Sequence, residues 1–348
     1  MTFKNLGIIG GGQLGSMLSS AAKKLNIRSI IFSDDLSAPA QNFCDEFIFA
    51  EYSDKKKILD FVSKVDVVTY EFENIPFETL NEINKIKPVL PKPSVNRLIQ
   101  HRLAEKDFIN KLNIRTTRYV EIKKKNDLET LEDFLPGILK TTTMGYDGKG
   151  QYPINKIEDI NKINIDFEKG FILEKLVKLK KEISVIITRF GVNKFEIYEP
   201  VENIHEEQIL KHSKIPAEIS KKLFDQSKDW AIRIAEELKY IGTLCVEFFI
   251  DRNENLYVNE IAPRVHNSGH LTINAYNISQ FENHVRAVCS LEKVNLKKIS
   301  NAKMLNLIGN EIVPYRQNVK LNNNEFFFDY LKKEIKEKRK MGHITTLT

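Results

Sequence analysis

One stretch of the sequence decides how the rest is interpreted, and it reads Asn259-Glu260-Ile261-Ala262-Pro263-Arg264-Val265-His266-Asn267-Ser268-Gly269-His270. An apolar, strand-like run ends on an acidic residue and gives way to a loop rich in arginine, histidine, asparagine and glycine. Just upstream, residues 245–251 form a second strand-like run that carries Glu247, and a turn-rich segment joins the two. This pattern predicts a hairpin with both carboxylates on adjacent strands. Because Mg²⁺ prefers carboxylate and phosphate oxygens, Glu247 and Glu260 are predicted metal ligands; a salt bridge to Arg264 is the alternative.

Length and composition limit the class of protein. A chain of 348 residues predicts two or three domains, and 42% hydrophobic with 29% charged residues is typical of a globular protein. The scattered Cys44, Cys245 and Cys289 contain no CxxC spacing, which argues against a disulfide scaffold or thiolate zinc site and favours a reducing, cytoplasmic location. No apolar run suits a membrane span, and the N-terminus leads straight into a strand, so neither membrane nor signal peptide is expected. The net charge of +6 is modest, and the basic residues are not interleaved with aromatic ones, so no nucleic acid is expected.

The N-terminal segment has the pattern of a β-α-β unit. Residues 6–9 form an apolar strand, Gly10, Gly12 and Gly15 give GxGxxG spacing, and a helix is predicted over 16–25. Such a turn offers helix N–H groups to an anion, and on its own it predicts a dinucleotide site with Asp34 or Asp35 on a ribose hydroxyl. A turn made for packing, or for another anion, is the alternative.

Acidic residues also follow the predicted strand over 65–70, in the segment Glu71-Phe72-Glu73-Asn74. Ligands bind at the carboxyl ends of parallel strands, so these side chains are candidates for a binding site. The alternative is that Glu71 or Asn74 caps the helix that starts near Pro76. A single helix is predicted over 94–112.

A lysine and a glycine-rich loop follow the next short strand. Residues 137–140 end on Lys140, and the loop then reads Gly145-Tyr146-Asp147-Gly148-Lys149-Gly150-Gln151. Backbone N–H groups and a lysine suit the covering of phosphates, whereas a plain hairpin turn at Asp147-Gly148 is the alternative. Downstream, the patterns predict a strand over 195–201, a polar loop over 203–206, and strands again over 303–308 and 325–330.

Taken together, these segments resemble the N5-carboxyaminoimidazole ribonucleotide synthetase family of ATP-grasp enzymes in purine biosynthesis. The resemblance covers essentially the whole chain, and its most specific parts are Asn259–His270 and Gly145–Gln151. It implies an α/β and α+β architecture, with a Rossmann-like preATP-grasp domain over 1–95. It also implies an ATP-grasp domain over 96–290, which includes a lid at about 115–175. A small β-rich domain would follow over 291–348.

The resemblance also implies roles for individual residues. The implied catalytic residues are Asp147, Arg264 and His266. The implied ATP-binding residues are Arg102, Lys140, Gly145, Tyr146, Asp147, Gly148, Lys149, Gly150, Gln151, Glu174, Lys175, Leu176, Val177, Glu182, His205, Asn259 and Glu260. The implied ribonucleotide-binding residues are Gln13, Leu14, Glu73, Asn267, Ser268, Arg339 and Lys340. Glu247 and Glu260 would hold Mg²⁺, or Mn²⁺ in its place.

The implied reaction is the ATP-dependent carboxylation of 5-aminoimidazole ribonucleotide with bicarbonate, through carboxyphosphate, to the N5-carboxylated product, ADP and phosphate. Either Asp147 or His266 would handle the amine proton. The chain is expected to form a homodimer and to pass its product to a mutase. A formate-dependent purine transformylase and a non-catalytic nucleotide-binding regulator are the competing interpretations, and a dehydrogenase is a distant one.

Two segments depart from the family's pattern. Thr142 and Met144 stand where an arginine and an extra glycine are usual before the glycine loop. Residues 336–338 replace an Arg-Pro-Gly turn before Arg339. We therefore expect a different anion contact at the loop and a different grip on the ribonucleotide phosphate at the tail.

Overall fold

The N-terminal part of the chain is a parallel sheet with helices packed against it. The structure is a computed structural model, and it describes residues 2–143, 150–163, 165–318 and 320–348. The sheet has the strand order β3-β2-β1-β4, with β1 paired in parallel to both β2 and β4. The predicted β-α-β opening is therefore confirmed. The elements are β1 (Asn5–Ile9), α1 (Gln13–Lys24), β2 (Arg28–Ser33), β3 (Glu46–Phe49), α2 (Lys55–Ser63), β4 (Val67–Tyr70) and α3 (Phe77–Asn84).

Two short helices, α4 (Pro93–Ile99) and α5 (Arg102–Lys111), connect this sheet to the rest of the molecule. The prediction of one helix over 94–112 is wrong, because His101 adopts an extended backbone with φ −115° and ψ 103°. The side chain of Gln100 donates to the carbonyls of Glu73 and Ile75, which anchors the end of α4 to the segment after β4. The break lets α5 start in a new direction, with the His101 ring capping the N–H of Ala104.

A small antiparallel sheet follows, and we call it the lid sheet. Its strand order is β5-β8-β6-β7, and Leu139, Phe171 and Leu173 lie in its own apolar core. The strands are β5 (Tyr119–Ile122), β6 (Gly137–Thr141), β7 (Gln151–Ile154) and β8 (Phe171–Lys175). Lys140 and Gln151 are register partners at the end of the β6–β7 pair.

The largest sheet runs through the centre of the molecule, and we call it the central sheet. Its strand order is β14-β13-β9-β11-β12-β15-β17-β16, with β10 paired to β9. Because β15 pairs with β12, the C-terminal strands continue this sheet. The elements are β9 (Leu179–Gly191), β10 (Lys194–Ile197), β11 (Val201–Glu206), β12 (Ile209–Ile215), α6 (Lys221–Glu237), β13 (Gly242–Asp251), β14 (Leu256–Ala262), α7 (Thr272–Ala275), α8 (Gln280–Val288), β15 (Ala302–Ile308), α9 (Val313–Arg316), β16 (Glu325–Asp329) and β17 (Lys340–Leu347).

Two predictions about the central sheet are wrong. The strand predicted over 195–201 ends at Ile197, and the polar loop predicted over 203–206 is part of strand β11. Asn203 lies inside the sheet because its side chain donates to Ser184 and accepts from Ser213, both at 2.9 Å. These hydrogen bonds satisfy a polar side chain that the sequence pattern assigns to a loop.

Among the helices that the structure describes, none combines the length and apolar character that crossing a membrane requires.

Candidate active site

The β13–β14 hairpin brings together the two carboxylates that the sequence predicts there. Glu247 and Glu260 are register partners, and the register shifts immediately after Glu247. The Glu247 carboxylate lies 3.0 Å from Nε2 of His266, and the Glu260 carboxylate lies 3.4 Å from Nη1 of Arg102. Burial raises the pKa of Glu247, but the hydrogen bond and charge of His266 outweigh burial and lower it to about 2. Both carboxylates therefore face positively charged or hydrogen-bond-donating side chains.

The oxygen donors of this hairpin fit Mg²⁺. Among the described residues, the thiol of Cys245, a carboxylate oxygen of Glu247 and a ring nitrogen of His266 lie within 4.8 Å of one another. Burial raises the pKa of the Cys245 thiol, and Mg²⁺ prefers oxygen ligands, so the thiol is a poor candidate. Glu260 is not part of this group, but it is the register partner of Glu247 on the adjacent strand, so the two carboxylates offer the oxygen ligands that Mg²⁺ prefers.

Arg264 is paired with Glu73, so the alternative of a salt bridge between the hairpin carboxylates and Arg264 does not describe the structure. Nη2 of Arg264 lies 3.0 Å from Oε1 of Glu73, and its Nε donates to Oε2. Burial lowers the pKa of this guanidinium, but the Glu73 carboxylate beside it raises the pKa above its usual value. Burial would likewise raise the pKa of Glu73, and Arg264 lowers it. This two-pronged contact joins the end of β4 to the loop after β14.

The ring of His266 has a defined tautomer. Nδ1 accepts the backbone N–H of Ser268 at 3.3 Å and lies 2.8 Å from the Ser268 hydroxyl. A backbone N–H can only donate, and the Glu247 carboxylate at Nε2 can only accept. The neutral ring therefore carries its proton on Nε2. The Ser268 hydroxyl is held in turn by Ser184, at 2.8 Å, on strand β9.

The glycine turn of the N-terminal sheet holds a carboxylate of the chain itself. Glu71 accepts the N–H of Gly12 through Oε1 and the N–H of Gly15 through Oε2, the latter at 2.5 Å. Glu71 thus caps α1, so the alternative in which it caps the helix starting near Pro76 does not describe the structure. The Asp35 side chain, which the dinucleotide interpretation places on a ribose, instead accepts the N–H of Ser37.

The predicted ribonucleotide residues Gln13, Asn267 and Lys340 lie close to one another. Oε1 of Gln13 accepts a hydrogen bond from Lys332 at 2.9 Å, and Lys332 also donates to the carbonyl of Lys340 at 2.7 Å. Asn267 accepts from Asn306 at 2.6 Å. Arg339 is half-buried and donates to the carbonyl of Glu334, so it is turned toward its own loop. Leu14 is partly buried against the N-terminal core.

Lys332 is a residue that sequence reasoning missed. It lies within a run of charges, which ordinarily indicates solvated surface. Its spacing from Gln13 along the chain is 319 residues, so no local pattern connects them. Its position beside the start of α1 becomes visible only in the folded protein.

The nucleotide residues predicted in the lid sheet meet at Glu174. The Glu174 carboxylate lies 3.1 Å from Nζ of Lys140 and 3.4 Å from Nζ of the buried Lys106. Burial raises the pKa of Glu174, but the two lysines outweigh it and lower the pKa to about 2. Lys106 also donates to the hydroxyls of Thr116 and Thr117, both at 3.0 Å, and to the carbonyl of Asn259 at 3.5 Å. Sequence reasoning missed Lys106, because a lysine on a helix ordinarily contacts solvent and no local pattern marks this one as buried.

The remaining nucleotide candidates are distributed around this cluster. Glu182 and His205 form a pair at 2.5 Å, and this pair raises the pKa of His205 against the lowering effect of burial. Lys175 donates to the carbonyl of Asp133, at the outer face of the lid sheet, and Leu176 is exposed. Val177 lies between β8 and β9. Gly150 has φ +70°, where an added Cβ would lie 2.6 Å from Oγ1 of Thr141. Gly145, Tyr146, Asp147, Gly148 and Lys149, together with Met144, lie outside the described residues.

Three family models match successive parts of the chain. They are the ribonucleotide synthetase preATP-grasp domain over 3–100, the ATP-grasp domain over 107–281 and the phosphoribosylaminoimidazole carboxylase C-terminal domain over 302–348. A curated relative, the N5-carboxyaminoimidazole ribonucleotide synthase of Bacillus subtilis, is 38% identical over 98% of this chain and 90% of its own length.

Solved structures agree with this similarity. The N5-carboxyaminoimidazole synthetase of Staphylococcus aureus, complexed with ADP, superposes with a TM-score of 0.92 at 35% identity, covering 100% of this chain and 94% of the other. The enzyme of Aspergillus clavatus, in complex with ADP and 5-aminoimidazole ribonucleotide, superposes with a TM-score of 0.90 at 27% identity, covering 99% and 94%.

Proposed function

Since the chain belongs to the family of N5-carboxyaminoimidazole ribonucleotide synthases, we propose a division of the family's reaction among its own residues. The chain is a ligase that carboxylates 5-aminoimidazole ribonucleotide to the N5-carboxy product at the expense of ATP, in purine biosynthesis. The observation that carries the division is the facing pair Glu247 and Glu260, with His266 and Arg264 in the loop that follows.

The nucleotide half of the reaction is assigned to the cleft between the lid sheet and the central sheet. Lys140 and Arg102 supply positive charge to the phosphates of ATP, and the carboxylates of Glu174 and Glu260 hold these two side chains in position. Glu247 and Glu260 would hold Mg²⁺, and the ion would supply positive charge to the phosphates. Bicarbonate attacks the γ-phosphate, so the bond to the β-phosphate oxygen breaks and ADP leaves with that electron pair. The loop around Asp147 would cover carboxyphosphate, which water destroys quickly.

The second half of the reaction is assigned to the loop after β14. The Arg264 guanidinium, oriented by Glu73, offers planar paired N–H groups to a carboxyl group. His266 donates from Nε2, and its tautomer leaves no lone pair there to take a proton from the amine. We therefore assign His266 to hydrogen bonding of a carboxylate oxygen, and Asp147 to the amine proton.

The ribonucleotide phosphate is assigned to the start of α1 and the tail. This assignment includes Gln13, Leu14 and Lys340. It also includes Lys332, because Lys332 contacts both Gln13 and the backbone of Lys340. Lys332 supplies positive charge beside a tail in which the usual Arg-Pro-Gly turn is replaced. Arg339 would reach the phosphate only after leaving the Glu334 carbonyl.

The experiment that tests the function measures ADP and phosphate release from Mg-ATP and bicarbonate, with and without 5-aminoimidazole ribonucleotide. We expect the ribonucleotide to accelerate release and the carboxylated product to form. Equal rates in the two mixtures would contradict the assignment. Replacing bicarbonate by formate separates a transformylase, and tight ATP binding without turnover in any mixture would indicate a regulator.

The division into domains over 1–95, 96–290 and 291–348 also remains a proposal, as do the homodimer, the hand-off of the product to a mutase, Mn²⁺ as a substitute ion and the cytoplasmic location. Sedimentation of the purified chain with and without ATP tests the dimer directly.

A further inference from the structure

The glycine turn is a feature that the proposed division of the reaction does not explain. GxGxxG spacing between a parallel strand and a helix usually frees backbone N–H groups for a phosphate. In this protein the acceptor of two of those N–H groups is Glu71, which comes directly after β4 and is buried. The chain therefore supplies its own anion to the turn.

The three glycines make room for this carboxylate. A Cβ added at Gly10 would lie 2.5 Å from Cγ of Glu71, and one at Gly12 would lie 2.7 Å from Oε1. A Cβ at Gly15 would lie 2.7 Å from the carbonyl oxygen of Gly10 and 3.4 Å from the Glu71 carboxyl. Gly10 also has φ +100°, which favours glycine in any case. The spacing that suggests a dinucleotide site is thus explained by an internal contact, and a pyrophosphate would have to displace a buried side chain.

Glu71 leaves part of the helix start open. It takes the N–H groups of Gly12 and Gly15, whereas within the described chain the N–H groups of Gln13 and Leu14 have no backbone or side-chain acceptor. The side chain of Gln13 is fixed at the same place, between Lys332 at 2.9 Å and Nε2 of His270 at 3.3 Å. The open N–H groups and the Gln13 side chain that contacts Lys332 thus belong to the same first turn of α1.

We propose that Glu71 is a positioning residue for the ribonucleotide: it closes half of the α1 N-terminus and fixes the other half, Gln13 and Leu14, for the substrate's phosphate. This inference rests on the proposed function, because it takes the phosphate to bind beside Gln13. Glu71 acts through the turn and does not itself contact the substrate. Its second effect is on specificity, because a dinucleotide finds its anion position already filled.

The test compares Glu71→Ala and Glu71→Gln with a matched control, Asp66→Ala. Asp66 accepts the backbone N–H groups of Lys4 and Asn5, at 3.0 and 2.9 Å, in the same N-terminal sheet but outside the proposed site. Asp66→Ala therefore shows how the fold responds when two backbone N–H groups lose a carboxylate acceptor outside the proposed site. The readouts are the KM for the ribonucleotide, the KM for ATP and the melting temperature.

We expect the KM for the ribonucleotide to rise about ten-fold or more in Glu71→Ala, since two charge-assisted hydrogen bonds that shape the turn are lost. Glu71→Gln keeps one acceptor oxygen but turns an amide N–H₂ toward the other N–H, so a smaller rise is expected. The KM for ATP should stay within about two-fold in both variants. Asp66→Ala should lower the melting temperature and leave both KM values unchanged.

The inference is overturned if Glu71→Ala and Glu71→Gln keep the KM of the wild type for the ribonucleotide, or if the KM for ATP rises in the same proportion. It is also overturned if Asp66→Ala raises the KM for the ribonucleotide as much as Glu71→Ala does. Should Glu71→Ala fail to fold, the two KM values of Glu71→Gln decide by the same criteria. A wild-type chain without ribonucleotide-stimulated ADP release would instead defeat the proposed function.

Discussion

The glycine turn and the β13–β14 hairpin both place carboxylates near the centre of the molecule, but they hold them in different ways. Glu71 is held by backbone N–H groups, which cannot leave without unwinding the start of α1. Glu247 and Glu260 face the side chains of His266 and Arg102 instead of backbone groups. The difference separates a fixed carboxylate, which shapes the backbone, from exchangeable carboxylates, which are kept ready for a cation.

The largest expected effect concerns an exchangeable carboxylate. Glu260→Gln should lower the rate of ribonucleotide-dependent ADP release by about 10²–10³-fold or more, because a neutral amide no longer offsets the charge of the ion beside the phosphates. The melting temperature should change little, since no backbone group loses its partner. Circular dichroism during heating measures the fold, and a coupled ADP assay measures the rate.

Glu236→Gln is the matched control for this variant. Glu236 is also paired with an arginine, Arg189 of β9, at 2.7 Å, but it lies on α6 and belongs to none of the proposed binding sites. Its substitution should leave the rate unchanged. Normal activity in Glu260→Gln, or unfolding of that variant, would remove the distinction between fixed and exchangeable carboxylates.

A smaller effect is expected for His266, the partner of Glu247, because its tautomer determines which ring nitrogen donates a hydrogen bond. In His266→Gln the side-chain amide places an N–H close to the original Nε2, whereas in His266→Asn it lies close to the original Nδ1. We expect the glutamine variant to lose about ten-fold in kcat and the asparagine variant about a hundred-fold. Nitrogen NMR of the wild-type ring should report the proton on Nε2. Greater activity in the asparagine variant would mean that the Nδ1 side carries the function.

The last expected effect is on stability and leaves the rate aside, and it concerns a histidine that is fixed in the way that Glu71 is fixed. Nδ1 of His284 accepts the backbone N–H of Thr243 at 3.0 Å, and Nε2 lies 2.8 Å from the hydroxyl of Thr69. Burial lowers the pKa of His284 to about 4, although the hydrogen bond from Thr243 opposes this. The ring is therefore neutral in the folded protein at pH values where it is charged in the unfolded chain.

The sign of the pH effect follows from this lowered pKa. The contribution of His284 to the free energy of unfolding is present above about pH 6.5 and is lost as the pH falls to about 4, by at most about 3 kcal/mol. Urea unfolding at several pH values between 7 and 4 measures this contribution. In His284→Gln, the slope of the unfolding free energy against pH should correspond to about one fewer proton taken up on unfolding. His212→Gln, on the exposed face of β12, is the control and should leave the slope unchanged. An unchanged slope in His284→Gln would show that this histidine is not held in its neutral form.

The sequence was sufficient to predict the elements whose pattern is local. The alternation of apolar runs with glycine turns identified β1, α1 and β2, and the short connection between β13 and β14 predicted that Glu247 and Glu260 would face each other. In each case the decisive partners are close in sequence or joined by a tight turn. Local patterns of this kind survive folding because nearby residues restrict each other's geometry.

The partners of Glu71 and Gln13 could not be predicted in the same way. The glycines that Glu71 contacts are 56 and 59 residues away, and the lysine that contacts Gln13 is 319 residues away. The strand β11 was taken for a loop because Asn203 is polar, yet its hydrogen bonds to Ser184 and Ser213 satisfy it inside the sheet. Where tertiary hydrogen bonds override local preference, only the folded structure shows the outcome.

The buried Lys106 links the two ends of the lid sheet to each other and to the central sheet. The chain enters the lid sheet past Thr116 and Thr117 and leaves it just after Glu174, and one ammonium group contacts all three side chains. The same ammonium group donates to the carbonyl of Asn259 on β14. A single cation therefore joins the entry and the exit of the lid sheet to the strand that carries Glu260, so its loss would disconnect three segments at once.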